Sequence, residues 1–84
     1  MINMGRLRNM EKVWQIAKEY ENTNNKPIPL WGLVEQAEAW TGVTTKTAKE
    51  YVQQLLKGVM IYGNKRKIYR FGEGVLVWQE EKQS

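Results

Sequence analysis

The sequence predicts an α+β fold in which three helices precede a two- or three-stranded β-hairpin. Three observations predict it. Up to Gly58, apolar residues recur at spacings of three and four along three separate stretches. From Val59 the apolar period drops to two. The breaks between stretches fall on Asn, Pro and Gly, residues that stop helices or turn the chain. At 84 residues the chain predicts one domain, residues 1–84. A chain of that size buries roughly 60–65% of its unfolded surface, enough for a core without staples. Four Trp supply bulk for that core.

The first helix is expected over about residues 4–22, with Leu7, Met10, Val13, Trp14, Ala17 and Tyr20 on one stripe. Asn22-Thr23-Asn24-Asn25 stops it, because Asn tolerates the left-handed backbone a stop requires. Lys26-Pro27-Ile28-Pro29 must be extended, since each Pro disfavours helix in the residue before it. Pro29 suits the start of a second helix, about 30–41, where its missing N–H costs nothing. Leu33, Val34, Ala37 and Trp40 are the apolar positions of that helix. Gly42 lets the chain turn sharply. Thr44 is the N-cap of a third helix, about 44–57, whose apolar positions are Ala48, Tyr51, Val52, Leu55 and Leu56. Gly58 ends it. A hairpin over about 59–71 follows, with Gly63-Asn64 as its turn. Gly72-Glu73-Gly74 makes a second turn into a C-terminal strand and a polar tail, 75–84.

The chain contains no Cys, His or Asp, and its one Ser is Ser84. Cys–His pairs, Ser-His-Asp triads, zinc sites and disulfides are therefore excluded. The nine Glu include no pair at a recognisable catalytic spacing, and no glycine loop cradles phosphate. The expectation is a non-enzyme with no catalytic residue, metal or cofactor. No apolar run reaches the roughly 18 residues of a membrane span, and Met1–Arg6 lacks the apolar core of a secretory signal. No membrane partner and a cytoplasmic location are expected.

Charge is unevenly placed. Val43 to Phe71 holds seven basic residues and one acid, a net +6, while the rest holds six and eight, a net −2. The positive excess thus sits in the third helix and hairpin, an electrostatic footprint for phosphate.

The order of helix, extended piece, helix, tight turn, helix and hairpin resembles the winged helix-turn-helix family of DNA-binding proteins, over roughly residues 7–71. Ala37, Gly42-Val43-Thr44, Thr47-Ala48, Val52 and Leu55-Leu56 carry the resemblance, and Leu55 to Ile61 looks like the passage from recognition helix to wing. Glu38 stands where many members have a small residue. The size is similar to that of regulators from archaea and their viruses or plasmids. The resemblance implies a transcription regulator of double-stranded DNA with no ligand domain, and no small-molecule ligand is evident.

The expected reading surface on the third helix comprises Thr44, Thr45, Lys46, Lys49, Glu50 and Gln53. Lys46, Lys49, Glu50 and Gln53 recur at i, i+3, i+4 and i+7, so they share a face. Lys donates to guanine, Gln pairs with adenine and Glu accepts from cytosine. Glu50 has an equally good alternative in an ion pair with Lys46. The expected wing contacts are Asn64, Lys65, Arg66, Lys67 and Arg70, with three consecutive cations at an exposed tip. Strand parity puts Val59, Ile61 and Ile68 on one face, and Met60, Tyr62, Tyr69 and Phe71 on the other. Both faces are partly apolar, so the second is expected either to lie under the third strand and tail or to meet another subunit. A homodimer fits paired half-sites. The alternative function is a winged-helix protein–protein interaction module; a further one is RNA binding through Tyr62, Tyr69 or Phe71.

Overall fold

In a computed structural model, which describes residues 4–78, the apolar stripes become three helices around one core. Helix α1 spans Met4–Asn24, α2 Leu30–Thr41 and α3 Thr45–Lys57. Strand β1 (Ile28–Pro29) lies between α1 and α2, and β2 (Val59–Ile61), β3 (Asn64–Phe71) and β4 (Gly74–Trp78) follow α3. The strands form one antiparallel sheet in the order β1-β4-β3-β2. The sheet therefore has four strands where two or three were expected.

The helix boundaries follow the anticipated signals. α1 runs two residues past Asn22 and stops at Asn25, whose φ of 57° is left-handed. Pro29 is the N-cap of α2, and Gly42 closes that helix at φ 75° with its N–H on the Glu38 carbonyl. The Thr44 hydroxyl accepts the Thr47 N–H at 3.2 Å, satisfying one of α3's free donors.

β1 is only two residues long, and two contacts hold it. Ile28 pairs with Val75 and is fully buried, and Gly74 lets the strand approach: a Cβ there would sit 2.5 Å from the Ile28 carbonyl oxygen. Beyond β1 the edge of β4 has no strand partner among the described residues, and the Glu21 carboxylate accepts the Val77 N–H at 2.9 Å. The Leu30 N–H donates to the Glu73 carbonyl at 3.2 Å, tying the start of α2 to the β3–β4 turn.

The core fills the space between the helices and one face of the sheet. α3 contributes Ala48, Tyr51, Val52 and Leu55; α2 contributes Leu33, Val34 and Ala37. Ile61, Ile68, Val75 and Val77 face them from the sheet. α1 buries Met10, Val13, Trp14 and Ala17, and also Ile16, which lies off the expected stripe. Each fully buried Leu or Ile contributes about 1.5–3 kcal/mol. Trp40 departs from expectation: it is half exposed, whereas Ala37, one turn earlier, is fully buried.

The hairpin turn is also displaced. It sits at Tyr62-Gly63, both with positive φ (51° and 82°), and Asn64 opens β3 opposite Ile61. Lys65, Arg66 and Lys67 therefore lie within β3 and not at a tip. β4 does not fold over the outer face: it pairs alongside β3 and adds Leu76 and Trp78 to that face.

Candidate nucleic-acid interface

Burial of Ala48, Tyr51, Val52 and Leu55 fixes the rotation of α3. The opposite side is polar and exposed: Lys46, Lys49, Glu50, Gln53, Gln54 and Lys57. Lys46, Lys49, Glu50 and Gln53 of the anticipated reading face are thus exposed. Lys46 and Glu50 make no ion pair among the described residues.

The start of α3 is arranged differently. Thr44 is occupied as the N-cap, and the Thr45 hydroxyl donates to the Glu38 carboxylate at 2.7 Å. Glu35 and Glu38 line a shallow hollow beside Gly42 and Val43. Carboxylates at this end oppose an anion, so the first turn offers little to a phosphate. Cations gather further along. Lys49, Gln53 and Arg70 line one cleft with Trp31, floored by Leu30, Val34, Val52 and Leu56. Glu73 is the single acid on its rim. The Lys49 ammonium lies 5.3 Å from the centre of the Trp31 ring, which is half exposed. Trp31 and Lys57 did not stand out as site residues in the sequence. The available signal for Trp31 was its place off the Leu33–Val34–Ala37 stripe.

The five hairpin candidates do not act as a set. Asn64 and Lys65 are exposed. Arg66 points to the inner face by strand parity, where it meets α1: it donates to Glu11 at 2.8 and 3.1 Å and stacks 4.0 Å from the Trp14 ring centre. Side-chain exposures of 24% and 26% leave this pair mostly but not fully buried. Lys67 donates to the Leu56 carbonyl at 3.2 Å, at the negative end of α3. Arg70, at the far end of β3, belongs with the α3 cleft.

Among the described residues no cluster of acidic side chains could hold a metal, and no helix is long and apolar enough to cross a membrane. No family model, curated protein or solved structure matches the chain.

Proposed function

We propose that the protein binds double-stranded DNA through the exposed face of α3 and acts as a transcription regulator of winged helix-turn-helix type. The observation that carries this reading is the α3 surface, where Lys46, Lys49, Gln53 and Lys57 are exposed and Arg70 shares a cleft with Lys49 and Gln53. A helix braced on α2 and the sheet, with its polar side outward, suits a major groove. Lys46, Lys49, Lys57 and Arg70 neutralise phosphates flanking the groove, and Gln53 and Glu50 read base edges. Lys65 extends the phosphate track. Arg66 is left out of the contact set, because Glu11 and Trp14 engage it. The three-helix and sheet order is compatible with a winged helix, with four strands in place of two or three. Helix-turn-helix regulators read paired half-sites, so the reading includes a homodimer on DNA.

Titration of labelled duplex over a range of salt tests it. Five phosphate contacts per protomer give a slope of log affinity against log salt of about −4.5. Replacing Lys46, Lys49 and Arg70 by Ala flattens the slope by roughly 2.7. No duplex binding at low salt, or an unchanged slope in the triple variant, overturns the proposal. Selection of bound duplexes gives the target, and a palindrome reports the dimer.

A further inference from the structure

Among the described residues nothing covers the face of the sheet turned away from the helices; the tail expected to fold over it, from residue 79 on, lies outside the described residues. Met60, Tyr62, Tyr69 and Phe71 are 61%, 55%, 40% and 59% exposed. Strand pairing sets their neighbours: Lys65 stands opposite Met60, Trp78 opposite Lys67, and Leu76 opposite Tyr69. Lys65, Lys67, Tyr69 and Phe71 thus alternate along one side of β3, two cations followed by two rings. The Lys65 ammonium lies 5.1 Å from the centre of the Trp78 ring. Lys67 spends one of its three donors on Leu56 and keeps two. β2, β3 and β4 contain no acidic residue.

An apolar patch this exposed marks an interaction surface. Its chemistry selects the occupant. A second copy laid face to face brings two sets of Lys65 and Lys67 into one interface, with no strand carboxylate to pair them. A duplex offers phosphates but keeps its base faces stacked inside. A single-stranded polynucleotide offers both phosphates and open base faces. Tyr69 and Phe71 are two residues apart, about 6.6–6.8 Å along the strand, and present successive flat surfaces.

We infer that the outer face of the sheet is a second nucleic-acid site, taking single-stranded polynucleotide with bases stacked on Tyr69 and Phe71 and phosphates on Lys65 and Lys67. Of the residues in the duplex reading this site shares Lys65 alone, and Lys67, Tyr69 and Phe71 belong to it only, so variants at those three test it separately from the duplex reading.

The test uses the full chain with labelled oligothymidine and oligouridine of about 12 nucleotides, followed by anisotropy. Wild type binds at low salt, and the ratio of the two affinities tells DNA from RNA. Tyr69→Ala and Phe71→Ala each weaken binding by about tenfold, and the aromatic swaps Tyr69→Phe and Phe71→Tyr restore it. Both side chains are exposed, and Phe71→Leu serves as the milder second variant. Lys46→Ala with Lys49→Ala leaves single-strand affinity unchanged while weakening duplex binding. Absence of single-strand binding by wild type overturns the inference, as does equal binding by the Ala and Leu variants. A dimer in sedimentation that Phe71→Glu converts to monomer also overturns it, because a second copy then occupies the face.

Discussion

Arg66→Met separates a cation that holds the fold from one that holds DNA. Met keeps an unbranched stem over Trp14 and deletes the charge. Arg66 donates twice to Glu11, at 2.8 and 3.1 Å, with both side chains about one-quarter exposed. Hydrogen bonds to charged groups contribute about 1.5–3 kcal/mol when buried, against about 0.2–1 kcal/mol for surface pairs. Partial burial places this pair near about 1–1.5 kcal/mol. The guanidinium over the Trp14 ring adds about 0.5–1 kcal/mol. The expected loss is about 2 kcal/mol, or roughly 8–16 °C in Tm for a domain of this size. Thermal and urea denaturation followed by circular dichroism measure it. A cycle with Glu11→Gln isolates the pair and should return a coupling of about 1 kcal/mol. A coupling below about 0.3 kcal/mol refutes the energetic argument. Duplex affinity well below Tm should stay within about twofold of wild type, since no phosphate contact is lost. Unchanged stability with about tenfold weaker DNA binding would show that Arg66 works at the interface.

Three further outcomes are expected. Gly74→Ala places a methyl 2.5 Å from the Ile28 carbonyl oxygen, a backbone atom that cannot swing aside, and should destabilise by about 2–3 kcal/mol in urea titration. Tyr62→Asn relieves a bulky residue at φ 51° in a two-residue turn and should stabilise by about 0.5–1 kcal/mol. Glu38→Gln keeps an oxygen for the Thr45 hydroxyl and removes a negative charge at the start of α3; duplex affinity at low salt should rise by about two- to threefold, an effect that salt erases.

The local parts of the fold were legible because their causes are local. Thr44 caps α3 through a contact three residues away, Gly42 turns at a conformation other residues resist, and Ala48, Tyr51, Val52 and Leu55 carry their own periodicity. The hairpin turn sits one residue before the expected Gly63-Asn64. The observed register pairs Ile61 with Asn64 and places Tyr62 in the left-handed region, and both registers put Ile61 and Ile68 on one face, so face parity does not distinguish them. The extended backbone at Ile28–Pro29 was legible from the two prolines, whereas its pairing as β1 was not, because its partner lies far along the chain. The candidate site divides the same way. Exposure of Lys46, Lys49 and Gln53 follows from helix geometry alone. The capture of Arg66 by Glu11, 55 residues away, depends on how α1 crosses the sheet, which no local pattern encodes. The meeting of Lys49, Trp31 and Arg70 in one cleft is a tertiary result of the same kind.

The short β1 strand has a kinetic consequence. Ile28 and Val75 pair across 47 positions, with the α2–α3 unit and the β2–β3 hairpin between them and β4, the second hairpin's last strand, holding Val75 itself. Those inner units close over short loops and can form early, whereas the β1–β4 contact must wait until both ends are brought together. Contacts made after the transition state govern how fast a protein comes apart and leave its folding rate almost untouched. The two residues of β1 are thus expected to act as a clasp: weakening them should speed unfolding and leave the folding rate almost unchanged, so that the lifetime of the native state depends on them more than their length suggests.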